Sequence, residues 1–285
     1  MAQFTDIPNE LLLLFFSYLP LKALISARGV SQHWRVLISH ADILPARRAL
    51  LRLYLRILAS PLFIPTRPWV LSRLRPFDRK AYLDTLLKEH QYLPDDFCLW
   101  VLEWPARAAI RGSWPGLPVC GPPRSIADDV ENIGGYNWLG SSPPRISAMM
   151  FGRRPYGSIP ELCLWVGHGE VTWLSLDKRD ELRGKVYEVY TDGYCQATED
   201  GLDDLGVVYD DFIEWQTWLW EKVERKAAYT SSHTKSKIYA ETAHGARLRG
   251  ERGTVLYPTH SNKVQPRSIN PIPIASRTCE YFNKL

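Results

Sequence analysis

Cysteine is sparse in this chain and shows no pairing pattern. Cys98, Cys120, Cys163, Cys195 and Cys279 are odd in number, scattered, and never spaced as C-x-x-C, which argues against a disulfide framework or a zinc site. A reducing compartment is expected. An excess of one charge is missing as well: 35 Lys and Arg against 31 Asp and Glu leave +4, too weak a bias for a nucleic-acid partner. Long apolar runs are also absent, since a membrane helix needs about 18 such residues. The run from Leu11 to Phe16 has Glu10 beside it, Pro20 soon after it and no basic residue before it, so it is not expected to be a signal peptide. The expectation is a soluble chain in the cytoplasm and/or nucleus, with no membrane partner.

Chemical motifs are lacking too. There is no G-x-S-x-G turn and no D-x-[DN]-x-[DN]-G calcium loop, and none of the seven histidines is spaced from another His or a Cys as a metal face would require. The acidic stretch Glu199 to Glu214 reads as a solvated loop leading into a helix cap. Gly167-His168-Gly169-Glu170 joins two strand-like runs with no helix after it, so it reads as a hairpin turn and not a phosphate loop. No catalytic residue, metal or cofactor is assigned.

What the sequence does hold is apolar surface in unusual places. Pro8 opens a helix to about Leu19, closed by Pro20, and Asp6, Asn9 and Glu10 put capping or acidic groups at its positive end. Leu11, Phe15 and Leu19 form one stripe while Leu12, Leu13 and Phe16 lie on neighbouring faces, so the helix is apolar almost all round. A second helix reads from Leu21 to Ala27, and Ser31 can cap a third that carries Trp34, Leu37 and Ile38. Three short helices cannot enclose that much apolar surface by themselves.

The order "IPNELLLLFFSYLPLKALISARGVSQHW" resembles the F-box, with Ile7-Pro8 where the family has Leu-Pro, then Glu10-Leu11-Leu12, Phe16-Ser17-Tyr18-Leu19, Leu24 and the closing Val30-Ser31-x-x-Trp34. The resemblance implies a helix-in-groove contact with a Skp-type adaptor and, through it, a cullin. It gives contact roles to Ile7, Pro8, Leu11, Leu12, Phe15, Phe16, Leu19, Leu24, Val30 and Trp34, of which Leu24 and Trp34 are candidates for holding the three helices together instead.

Residues 46–76 read as a helical and proline-rich connection. Ala46 to Ala59 has Leu50, Leu51, Leu55 and Leu58 at helical spacing, with Arg47, Arg48, Arg52 and Arg56 on solvated faces. From residue 77 to 224 the order is helices, then three runs rich in β-branched and aromatic residues ("ELCLWVG", "EVTWLSLD", "KVYEVYTD"), then a helix capped by Asp210 or Asp211 with Phe212, Trp215, Leu219 and Val223 on one stripe. That order implies an α+β domain with an antiparallel sheet behind a small F-box of residues 1–45. Trp165, Trp173, Trp215, Trp218 and Trp220 are expected in the core, and Trp104, Trp114 and Trp138, in Pro/Gly-rich segments, are candidates for a ligand surface or for plugs beneath the loops.

This second region resembles the Smi/Knr-like (SUKH) superfamily through Leu93-Pro94-Asp95-Asp96-Phe97 and Phe212-Ile213-Glu214-Trp215, and it resembles fungal F-box proteins through "LEWPARAAI", "WPGLP" and "NWLGSSPP". The superfamily's Asn-Gly-Gly loop is replaced by "EWPARAAI". The resemblance implies a binding scaffold without catalytic residues. From Arg225 onward 11 basic residues face 3 acidic ones, and a disordered tail of +8 is expected behind a body of −4. Two functions stand open at this point: a substrate-recognition subunit of an SCF-type ubiquitin ligase that holds an unknown target protein, or a non-catalytic scaffold acting outside a ligase.

Overall fold

Pro8 and Pro20 bracket the first helix as the sequence requires. In the computed structural model, which describes residues 7–119, 135–150, 158–167, 170–190 and 207–228, helix α1 spans Asn9–Tyr18, α2 Leu21–Ala27 and α3 Gln32–His40. The Pro8 carbonyl accepts the N–H groups of Leu11 and Leu12 at 3.1 and 3.2 Å. Ser31 caps α3 by accepting the Trp34 N–H at 3.1 Å. Asn9 does not cap α1, because its Oδ1 lies 2.9 Å from His33 Nε2 and ties α1 to α3 instead. Leu12, Phe16, Leu21, Leu24, Leu37 and Ile38 form the buried centre of these helices, and the edge of Trp34 packs on Phe16 with ring centroids 5.2 Å apart.

The helical connection is wound into the same core. Helix α4 spans Pro45–Ala59 and α5 spans Arg67–Arg73. On α4 the buried stripe is Leu50, Leu53 and Ile57 with Leu51 beside it, while Leu58, expected inside, is exposed. Two arginines expected on solvated faces are held by the chain's own carboxylates: Arg47 forks onto Glu103 at 2.7 and 2.9 Å, and Arg56 reaches Glu221 at 2.8 Å and Glu224 at 2.6 Å. Arg67 is buried and donates to the carbonyls of Arg107 and Ala109 at 2.9 and 2.8 Å, which stitches α5 to the turn after α7.

Helices α6 (Arg79–Glu89) and α7 (Asp95–Glu103) follow. Asp78 caps α6 through the Ala81 N–H at 2.9 Å. Arg79 donates to the carbonyls of Val101, Leu102 and Trp104 at 2.9–3.0 Å, placing a cation at the negative end of α7. The described residues all fall within one compact unit, Met1–Thr234.

Among the described residues the sheet has six antiparallel strands, of which the sequence announced three. They are β1 Gly135–Asn137, β2 Ile146–Met150, β3 Ser158–Gly167, β4 Glu170–Ser175, β5 Val186–Tyr190 and β6 Val207–Tyr209, in the order β1-β3-β4-β5-β6, with β2 also paired to β3. The expected meander is β3-β4-β5, and Gly167 and Glu170 are the ends of the β3–β4 connection. A bulge in β3 between Cys163 and Trp165 returns Trp165 to the face that carries Leu162, because Trp165 pairs with Thr172 and Leu162 with Leu174. Trp165 then packs over the backbone of β1 so closely that a Cβ at Gly135 would lie 2.6 Å from its Nε1, which explains a glycine there.

The last helix, α8 (212–228), crosses the inner face of the sheet with Phe212, Trp215, Leu219 and Val223 buried as expected. It extends to residue 228, so residues 225–228 are helical where a tail was expected; the remaining tail, residues 229–285, lies outside the described residues. Its start is tied to α7: Asp96 Oδ2 accepts the Phe212 N–H at 2.8 Å, and Asp211 caps through the Glu214 N–H at 2.7 Å. An aromatic cluster fills the angle between the two helices, with Trp100 4.7 Å from Trp114 and 4.8 Å from Phe212.

On the opposite face of the sheet Glu161 is fully buried, and neither of its carboxyl oxygens has a hydrogen-bond partner among the described residues. Burial pushes its carboxyl up to about 8. Folding therefore favours the protonated form. The stabilising effect is fully present below the unfolded value of 4.5, declines as pH rises, and is gone once pH has passed the folded value. Asp96, raised to about 6 chiefly by burial, acts in the same direction. Glu161→Gln is expected to leave stability unchanged near pH 4 and to raise it near pH 8, as read by urea unfolding at both pH values; a variant with the parent's pH dependence would show that Glu161 is not the group responsible.

Candidate functional site

Helix α1 has two faces, and the division between them is sharp. Leu12 and Phe16 point into the core, whereas Ile7, Leu11, Leu14, Phe15 and Tyr18 recur at helical spacing along the other side and are exposed, Leu11 at 56 %, Phe15 at 52 % and Tyr18 at 78 %. Exposed apolar side chains are common singly, but a contiguous stripe of this size marks a place where another molecule docks. Each such side chain gains about 1–2 kcal/mol when covered, so the stripe can supply most of a stable contact. Val30, in the turn before α3, and Val36 on α3 are exposed too.

The structure therefore divides the ten residues that the resemblance marks as contacts. Ile7, Pro8, Leu11, Phe15 and Val30 are exposed and free to meet a partner. Leu12 and Phe16 are buried and belong to the helical core, which corrects their contact role: a partner could reach them only by opening the fold; Leu24, already a candidate for holding the helices together, is buried too. Leu19 and Trp34 are half-buried. Leu14 and Tyr18 were missed, although Leu14 lies three residues from Leu11 and Tyr18 three from Phe15, helical neighbours on one side.

The tryptophans offered as a ligand surface require a second correction. Trp104 and Trp114 have no exposed surface at all. The proline after each turns the chain back into the body, where Trp104 Nε1 donates to the Ala108 carbonyl at 3.2 Å and Trp114 stacks edge-on with Trp100. They are the plugs, not the surface. Trp138 is half-buried beneath the Arg145 guanidinium, 5.2 Å from the ring centre. Of the five tryptophans expected in the core, Trp165, Trp215 and Trp220 are buried, and Trp173 and Trp218 half-buried.

A group of ionic side chains that the sequence reading passed over lies between the sheet and α8. Lys222 Nζ is 3.0 Å from Glu188 Oε1, 3.8 Å from Glu170 Oε2 and 3.4 Å from the centre of the Trp218 ring. The Tyr209 hydroxyl donates to Glu188 Oε2 at 3.1 Å. Glu170 is pushed up to about 7, first by burial and then by its hydrogen bond with Glu188. Arg111 and Ser113 line the same small cavity, and burial brings the Arg111 guanidinium down to about 10. The signal available in sequence was Glu188, a charge at an inward position of "VYEVY". Among the described residues no group of three or more His, Cys, Asp and Glu side chains could hold a metal ion, and no helix is long and apolar enough to cross a membrane.

The F-box-like family model matches residues 4–44, the segment that contains α1, α2 and α3 and the exposed stripe. The N-terminal segment is thus F-box-like, followed by an antiparallel sheet domain with helices. No curated protein and no solved structure matches the chain.

Proposed function

We propose that this protein is a substrate-recognition subunit of an SCF-type ubiquitin ligase, with α1 seated in the groove of a Skp-type adaptor and the α+β region holding a target protein. The observation that carries the reading is the exposed stripe Ile7, Leu11, Leu14, Phe15 and Tyr18 inside an F-box-like segment. The chain would perform no chemistry of its own. Its contribution is proximity, since a held target meets the ubiquitin-loaded enzyme at a raised local concentration. It would act in the cytoplasm and/or the nucleus, without cofactor, nucleic acid or membrane.

The α+β region is read as a Smi/Knr-like binding domain of the kind that accompanies F-boxes in fungal proteins. Supporting this, the two short motifs on which the resemblance rests meet in space: Phe97 and Phe212 pack edge-on with centroids 5.1 Å apart, and Asp96 caps the helix that Phe212 begins.

Affinity capture with the full chain tests the reading. Recovery of the Skp-type adaptor together with cullin is the expected result. Adaptor without cullin would favour a scaffold outside a ligase, and failure to bind purified adaptor at micromolar concentration would end both versions.

A further inference from the structure

The exposed stripe of α1 has a counterpart on α5 and the turn that leads into it. Arg67 and Val70 turn inward and are buried, with Phe63 and Leu74 half-buried beside them. Ile64, Pro68 and Leu71 recur at i, i+4 and i+7 on the outward side, Ile64 73 % and Leu71 50 % exposed, and Pro61 and Pro65 are exposed next to them. Arg75 stands four residues beyond Leu71, and its backbone is fixed where its N–H donates to the Gly116 carbonyl at 2.9 Å. Arg73 and Arg75 are exposed and, unlike Arg47 and Arg56, have no carboxylate partner among the described residues. Arg107 is exposed too, on the turn whose carbonyls hold Arg67 beside the start of α5. From Ser60 to Phe77 and from Pro105 to Val119 the charged residues are all arginines, and the next acidic side chain, Asp78, is engaged in capping α6. The apolar stripe therefore lies in a field of one sign.

We propose that this face of α5 is a docking surface for an acidic amphipathic segment of a partner protein, whose apolar side chains cover Ile64, Pro68 and Leu71 and whose carboxylates meet Arg73 and Arg75. Charge complementarity names the occupant: a basic segment would be repelled, and a neutral one would leave the guanidinium groups without partners at the rim. A guanidinium presents a planar fork that matches a carboxylate in two parallel bonds, which fixes the register of a peptide more closely than a point charge does. The apolar positions span two helical turns, the repeat by which a partner helix sets out its own anchors. The buried side of α5 is stitched to the turn after α7, so the surface is already in shape before anything binds. It requires no adaptor and stands or falls separately from the F-box reading; within that reading it is a grip on the target, which then carries an acidic and apolar segment.

The test pans a display library of random peptides on the purified full chain, then titrates synthetic, fluorescein-labelled copies of the enriched peptides by anisotropy. Enrichment of Asp and Glu together with Leu, Ile or Phe at helical spacing is expected, with binding that weakens as sodium chloride is raised. Leu71→Asp, and separately the double variant Arg73→Glu with Arg75→Glu, should each weaken binding by about tenfold or more with an unchanged melt. The double variant alters only exposed side chains, so it decides the matter if Leu71→Asp does not fold. A peptide with Lys in place of its acidic residues should bind the double variant better than it binds the parent, which mere damage to the fold would not produce. Leu11→Asp should bind the peptides like the parent, and the α5 variants should capture the Skp-type adaptor like the parent, so loss of one contact is read apart from loss of the other. The proposal is overturned if no acidic peptide is enriched, if the α5 variants bind the peptides like the parent, or if the stripe serves phosphatidylserine vesicles instead, seen as sedimentation with them that both variants abolish.

Discussion

Leu11→Asp and Phe15→Asp should each abolish capture of the Skp-type adaptor while leaving thermal unfolding of the chain where it was. Both side chains are more than half exposed, so a carboxylate there is hydrated in the free protein and costs the fold little. Pushed into an apolar groove, the same carboxylate loses its water without gaining a partner, at a cost of several kcal/mol. Phe16→Asp is the internal contrast. Phe16 has no exposed surface and packs against Trp34, so its replacement should collapse the helical core and cost about 4 kcal/mol or more of stability. A melt recorded beside each pull-down separates the two cases. Adaptor binding retained by Leu11→Asp would sink the proposed function, and a lowered melt for Leu11→Asp would show that the exposed stripe is part of the core.

The second large effect is expected at Glu103. Its carboxylate takes two bonds from Arg47 on α4 and a third, at 2.7 Å, from the Leu21 N–H at the start of α2. The side chains of Arg47 and Glu103 are only 16 % and 14 % exposed, and the carboxylate holds the Arg47 guanidinium above its usual range. Glu103→Ala leaves a mostly buried guanidinium and a helix N–H without partners, which should cost about 3 kcal/mol in urea unfolding. Arg47→Ala should cost less, because Glu103 keeps the Leu21 N–H, and the double variant should show strong coupling. A loss under about 0.5 kcal/mol for Glu103→Ala would mean the contact is merely tolerated.

How much of this was legible beforehand differs by element. The three F-box-like helices could be read to within a residue or two, because Pro8, Pro20 and Ser31 punctuate them. Which side of α1 faces outward could not be read, since a helix apolar all round gives hydrophobicity no direction; the packing of Phe16 against Trp34 of α3 decides it. Strands β1 and β6 are three residues each and carry too few positions to show alternation. Trp104 and Trp114 stood open between two roles because a Pro/Gly-rich setting is shared by loops on the surface and by turns that dive inward. Arg111 and Lys222 come together only through tertiary packing of a turn and a helix 111 residues apart, which no local pattern encodes.

The bond from Glu103 to the Leu21 N–H has a geometric meaning for the proposed ligase. A receptor whose two parts are joined by a slack tether lets its passenger swing, so that many lysines take turns near the reactive thioester. Here α2, the helix after the exposed stripe of α1, is bolted to α7, and α7 is in turn bolted to α8 through Asp96. Whatever is gripped by the α+β region inherits the adaptor's orientation, like a tool clamped in a vice. Such an assembly would mark lysines by their position in space, sparing those outside a narrow arc.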